Sequence, residues 1–243
     1  MKKFISFIFA LLSVFLFAVA IGMSLQIDPV TSLSVAVLVS AVFAFTVQNT
    51  HDLSFVTVCG AFNGNIEYDC EKPIQAGLQA RIVIINKQDI VGVTSGTGNV
   101  ISDITLATGK VAHVISGRRN TIVATSSLIP AQELYDHAIT AMGFDISALT
   151  KEILEGAKSG RFVIIAENIH KGTGDKDAFE VYGLNAGLVL MENNRDTSSV
   201  ETQGAFALRF ANDEVSKETQ LPKTLFDTDY TTTKALVDAL LVP

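Results

Sequence analysis

The residues whose types could do chemistry are two cysteines, four histidines and three short polar clusters. Cys59 and Cys70 flank Gly60 to Asp69, and Asn63-Gly64 between them can make a tight hairpin turn that sets the cysteines opposite each other. They form a candidate disulfide if the body lies outside the cytoplasm, where a bridge over so short a loop stabilises by about 3 kcal/mol. In the cytoplasm both stay reduced. The histidines are His51, His113, His137 and His170. None stands beside a nucleophile motif, no Gly-x-Ser-x-Gly occurs, and no pair has zinc spacing.

The three clusters fall short of the motifs they resemble. Thr94-Ser95-Gly96-Thr97-Gly98-Asn99-Val100 begins like a dinucleotide fingerprint, but Ile101 stands where the third glycine belongs. A strand pattern follows it, whereas a phosphate cradle needs a helix N-terminus. A hairpin or loop is the expectation. In His170 to Asp177, Asp175 and Asp177 offer oxygens to a hard cation, without the further ligands and closing glutamate of an EF-hand. A solvated hairpin tip is expected there. Asp227 and Asp229 read as solvation and capping ahead of the last helix. The sequence thus assigns no catalytic, cofactor or metal residue, and the expectation is a protein without enzymatic activity.

These residues must be carried by two unlike parts of the chain. No charged residue stands between Lys3 and Asp28, nor between Asp28 and Asp52. Residues 1–52 hold two lysines and two aspartates, so the net charge of −7 belongs wholly to residues 53–243. The division predicts an apolar α-helical head, 1–52, and an acidic globular body, 53–243. Phe4 to Met23 follows Met1-Lys2-Lys3 and contains Ala18-Val19-Ala20, the layout of a secretory signal. That run, and the second from Pro29 to Val47, are each long enough to span a bilayer. Three arrangements stay open: a hairpin of two spans turning at Ile27-Asp28-Pro29, a cleaved signal followed by one anchor, or a second run buried in an assembled particle. Lys2 and Lys3 place the N-terminus in the cytoplasm.

The body reads as eight or nine short strands. Alternating or continuous apolar runs stand at Ser54–Cys59, Ala80–Ile85, Val100–Leu106, Lys110–Ser116, Thr121–Ser126, Arg161–Glu167, Ala178–Tyr182, Leu184–Glu192 and Ala205–Ala211, while Glu133–Met142 fits either a strand or a helix, the strand being preferred. Ala80–Ile85 has the pattern of a strand buried on both faces. Asp145–Lys158 predicts a helix capped by Asp145 or Ser147, with Ile146, Leu149, Ile153 and Leu154 as its apolar stripe. Thr231–Leu241 predicts a second, capped at Thr231, with Leu236, Val237 and Leu240 inward. The fold class is mainly β with two short helices, a sandwich or barrel-like body.

Composition excludes several classes. The acidic balance excludes nucleic-acid binding through a global basic field, and nothing predicts sequence-specific recognition. A hydrophobic content of 48% excludes a mainly disordered chain. Two cysteines exclude a disulfide-dense scaffold.

The C-terminal half carries a resemblance. Its stretches are Phe179-Glu180-Val181-Tyr182-Gly183-Leu184-Asn185-Ala186-Gly187-Leu188, Arg195-Asp196, Glu201-Thr202-Gln203-Gly204-Ala205, and Leu221-Pro222-Lys223-Thr224-Leu225-Phe226-Asp227-Thr228-Asp229-Tyr230. Together they resemble a family of structural proteins of Bacteroidota phages and prophages. Ala80 to Asn86 and Gly160 to Val163 are similar to other stretches of it, and the likeness covers roughly residues 70–242. The resemblance implies a virion building block, such as a tail-tube or other ring-forming subunit. Its partners would be copies of itself and other virion proteins. It brings no catalytic residue and no cofactor. The apolar head departs from ordinary tail-tube subunits and leaves room for membrane association through residues 4–47. The alternative expectation is a membrane-anchored extracytoplasmic binding domain.

Overall fold

A computed structural model describes residues 64–66, 70 and 73–242. The apolar head and the strand expected at 54–59 lie outside the described residues. The elements below all belong to one unit, Tyr68–Pro243.

Alternation of β-branched residues builds the central strands. In β1 (Leu78–Asn86), Ile82 and Ile84 point to one side, and Val83 and Ile85 to the other. In β7 (Phe162–Asn168), Phe162, Ile164 and Ala166 alternate in the same way with Val163 and Ile165. Branching at Cβ restricts these side chains to the rotamers a pleated surface accepts. Both strands are buried on both faces, as Ala80–Ile85 predicts.

Around them lies a seven-stranded sheet. It adds β2 (Ile90–Ser95), β3 (Val100–Leu106), β4 (His113–Ser116), β8 (Phe179–Tyr182) and β11 (Lys223–Leu225), in the order β2-β3-β11-β8-β7-β1-β4. Its pairings are antiparallel except β11 with β3. A four-stranded antiparallel sheet holds β5 (Ile122–Ile129), β6 (Leu134–Gly143), β10 (Phe206–Ala211) and β9 (Val189–Arg195), in the order β5-β6-β10-β9. The fold is mainly β with two helices, as the strand patterning predicts.

The two sheets pack face to face. Ile82, Ile84, Phe162 and Ile164 of the larger sheet share one core with Ile122, Ile139, Leu208 and Phe210 of the smaller. Phe162 meets Phe210 edge-on, with ring centroids 5.7 Å apart. On the far side of the larger sheet lies a second core, closed by helix α2 (Tyr230–Ala239) through Val237 and by Leu240 just beyond it. Arg81 of β1 reaches Asp238 of this helix at 2.9 Å. Tyr230 stacks on Phe179 and donates its hydroxyl to Glu167 at 2.7 Å. The cap of α2 is Asp229, which accepts the Thr232 N–H at 2.8 Å, and not Thr231. A carboxylate one turn earlier satisfies an orphan N–H and meets the positive end of the helix dipole.

Helix α1 (Ala148–Ala157) departs from expectation in its packing. Ser147 caps it by accepting the Thr150 N–H. Of the apolar stripe only Leu154 is buried; Ile146, Leu149 and Ile153 are exposed at 50%, 66% and 61%. The helix meets the core between the sheets through Leu154 and, partly buried, Ala157 in its C-terminal half. Two strands carry weak sequence signals. β2 is interrupted by Gly92, and β11 is three residues long and flanked by Pro222. Leu184–Leu188, expected as the start of a strand, is the crossing between the sheets, and β9 begins at Val189.

Ile164 is fully buried between the sheets. Truncation by Ile164→Ala is expected to cost about 2–5 kcal/mol through lost transfer energy and the residual cavity. Denaturant unfolding followed by circular dichroism measures it, with the midpoint moving at constant slope.

Candidate interaction surface and the buried clasp

The residues singled out from sequence are dispersed. Thr97, Gly98 and Asn99 turn the chain between the paired strands β2 and β3, and the Gly96 N–H donates to Val100 O at 2.9 Å. That is the expected hairpin, with no helix N-terminus behind it. His170–Asp177 links the paired strands β7 and β8 as the expected polar tip, with a 3-10 turn at Thr173–Asp175. Asp227 accepts no helical N–H; its own N–H donates to the Thr233 hydroxyl. Cys70 is exposed. Cys59 and His51 lie outside the described residues, and so does the pairing expected of Cys59 with Cys70. Among the described residues no three His, Cys, Asp or Glu side chains converge to hold a metal.

His137, on β6, is the histidine with a distinct environment. It is 2% exposed. Its backbone N–H donates to Asn212 Oδ1 at 2.8 Å, and the Asn212 N–H donates to the His137 carbonyl at 3.0 Å. The Gly183 N–H approaches His137 Nδ1 at 3.4 Å, which assigns the ring proton to Nε2. Nε2 has no hydrogen-bond partner of normal geometry. The ring meets Tyr182 edge-on at 5.7 Å. Burial lowers the His137 pKa below its ordinary value, against the pull of Glu218, the Gln220 backbone, Asp136 and Glu180. Tyr182 donates to the Glu180 carboxylate. Burial, then the charge of Glu180, raises the Tyr182 pKa far beyond the phenolic range.

Beside this histidine a clasp ties two crossings between the sheets. The chain leaves β8 through Gly183–Leu188 to reach β9, and leaves β10 through Asn212–Pro222 to reach β11. Glu218, 1% exposed, belongs to the second crossing. Its carboxylate accepts the N–H groups of Asn185 at 3.1 Å and Ala186 at 2.9 Å in the first. Its backbone exchanges hydrogen bonds with Tyr135 of β6, at 2.7 and 2.9 Å, beyond the end of β10. Asn212 Nδ2 donates to Gly187 O at 3.1 Å. Gly183 allows the first crossing its sharp turn. Its φ is +74°, and a Cβ there would stand 3.0 Å from the Phe162 carbonyl oxygen.

An open groove of about 480 Å³ runs past Lys87, Ser159 and Arg161. Both cations in it are engaged. Lys87 donates to Leu184 O at 2.9 Å, and Arg161 donates to Ala186 O and pairs with Asp213. Their charge braces the first crossing and is not presented to an anion.

The exposed ends of the sheets remain. Among the described residues β5, β9, β2 and β4 are the edge strands. Edges invite pairing with another chain unless charge, bulges or brevity protect them. β9 carries Glu192 and Arg195, and its pairing with β10 shifts register at Arg209/Phe210. β2 shifts register twice against β3, and β4 is four residues long. β5 has none of these protections. Its eight residues pair with β6 without a shift, and no charged residue stands from Asn120 to Gln132. Val123 and Leu128 are exposed on it. Periodicity reads the strand but not its place at an edge.

The class these features define is a mainly-β, two-sheet sandwich with one helix closing its outer core. The chain matches no family model, and neither a curated protein nor a solved structure matches it. Among the described residues no helix is long and apolar enough to cross a membrane.

Glu218→Ala removes the charged acceptor shared by the Asn185 and Ala186 N–H groups and is expected to cost about 1–3 kcal/mol; Glu218→Gln, which keeps one acceptor oxygen, costs less. Both are read from urea unfolding midpoints. His137 sets an acid limit. Its folded pKa lies below the unfolded value of about 6.5, so the unfolded chain takes up the proton first and stability falls as pH drops below that value. Between pH 7.5 and 5.5 the loss reaches at most about 1.4 kcal/mol per such group. Asp213, Asp229 and Asp238, held below the usual carboxylate range, titrate outside this window. His137→Asn is expected to flatten the slope of unfolding free energy against pH in that interval.

Proposed function

We propose that this chain is a structural protein of phage or prophage type: a self-assembling subunit of a virion or tail-tube-like ring, acting without catalysis. The observation that carries the reading is the architecture of two open sheets that end in an exposed, charge-free strand. Such a strand presents unpaired backbone donors and acceptors that another subunit's strand satisfies. The likeness of the C-terminal half to phage structural proteins supports the same class. Its longest stretches fall on the crossings Gly183–Leu188 and Leu221–Pro222 and on β8 and β11, so they report the frame of the sandwich.

The partners under this reading are copies of the chain and other virion proteins. An acidic body also suits a lumen through which DNA slides, since like charge prevents sticking. A second reading is a membrane-anchored binding domain outside the cytoplasm. The exposed Leu149 and Ile153 on α1, with Ile146 just ahead of it, favour it, as an apolar face open to a ligand protein.

Light scattering with negative-stain imaging of residues 53–243 separates the two. Rings, tubes or discrete oligomers are expected. A clean monomer at high concentration overturns the structural reading and moves attention to the binding domain.

A further inference from the structure

We infer that β5 is a self-complementary seam, along which two copies of this chain pair antiparallel across a two-fold axis at Ser126. The inference rests on the self-assembly reading for its partner and adds the strand, the register and the symmetry.

The pattern of β5 is the first argument. Val123-Ala124-Thr125-Ser126-Ser127-Leu128-Ile129 reads apolar, apolar, hydroxyl, hydroxyl, hydroxyl, apolar, apolar in either direction. A two-fold at Ser126 sets Val123 opposite Ile129, Ala124 opposite Leu128, and Thr125 opposite Ser127. Directly opposed residues in an antiparallel pair share a face and touch. Apolar therefore meets apolar at both ends, and hydroxyl meets hydroxyl at the centre. This register also joins like faces, so the two smaller sheets continue into one another as a single eight-stranded sheet. Pro130, which has no N–H, lies just beyond the last of these pairs.

Charge is the second argument. An isologous contact brings the same patch of both copies together, so a charge near the two-fold axis meets its own copy. The whole −7 of the chain lies in the part that contains β5, so two bodies repel wherever acidic surfaces meet. The segment from Asn120 to Gln132 carries no charge, and β5 lies wholly within it. Unprotected length and neutrality coincide on this edge; β9 has the length, but Glu192 and Arg195 stand on it. Ser126 is exposed, and the backbone edge beside it pairs with no other described residue.

A two-fold contact closes on itself. The β5 seam makes a dimer, and a ring or tube grows from that dimer through a second surface.

The test uses the full chain in detergent. Ser126→Cys is introduced with Cys59→Ser and Cys70→Ser, and treated with a short bis-maleimide. Asn193→Cys, on the exposed strand β9, is the matched control in the same background. Ser126→Lys in the otherwise native chain places two ammonium groups across the axis. The expected result is a cross-linked dimer as the main product with S126C, only background with N193C, and loss of the dimer by light scattering with S126K. Oligomers that persist in S126K, with S126C cross-linking no better than N193C, overturn the seam and leave the self-assembly reading standing. A native chain that is monomeric by scattering and fails to cross-link overturns both.

Discussion

The carboxylate of Glu218 is the tie on which the relation of the two sheets depends. It stands in the crossing from β10 to β11 and holds two amides of the crossing from β8 to β9. Each crossing taken alone would bury backbone groups that no ladder satisfies. Together, with Asn212 and the backbone of Tyr135, they satisfy one another. A buried carboxylate is costly to desolvate, and its hydrogen bonds to N–H groups offset that cost. Burial in the same corner lowers the His137 pKa against the opposing pull of Glu218, so the neighbourhood of the tie carries a sensitivity to acid.

Once the sheets are tied, hydrophobic burial does the rest. The central strands β1 and β7 feed two cores at once, one against the smaller sheet and one beneath α2. That arrangement explains why their sequences are continuous apolar runs, while β5 and β6, with one face to the core, mix apolar with hydroxyl and charged residues. It also fixes which strands are left at the rims, since a sheet of four has two edges whatever its sequence.

The rims and the helix α1 expose apolar side chains. Arg161 and Lys87, cations in the groove beside Ser159, are engaged by carbonyls of the first crossing and by Asp213 of the second, so the surface has little directed polar chemistry there. What it offers is extended: an unprotected strand edge and an apolar helical stripe. Extended, uncharged surfaces suit contacts between large partners better than the capture of a small ligand, which needs a few convergent polar groups in a cavity.

Much of the frame was legible in sequence because it is local. The strands at 100–106 and 162–168, both helices and the turns at Gly96–Asn99 and His170–Asp177 follow from periodicity, caps and glycine positions, whereas 134–143 fits strand and helix alike in sequence and is a strand because β5 and β10 flank it. The division into an apolar head and an acidic body is likewise a matter of sequence alone. The tertiary structure decided what depends on distant partners. β11 exists because β3 and β8 flank it, and Leu184–Leu188 leaves the strand pattern because Glu218, more than thirty residues on, claims its amides. Ile146, Leu149 and Ile153 form a helical stripe in sequence, yet α1 turns Leu154 and Ala157 to the core and leaves those three exposed. His137 and Glu218 read as ordinary polar residues until the crossings bury them. Side-chain period sets which way a residue points along its own element; which neighbour stands there is set by contacts far apart in the chain.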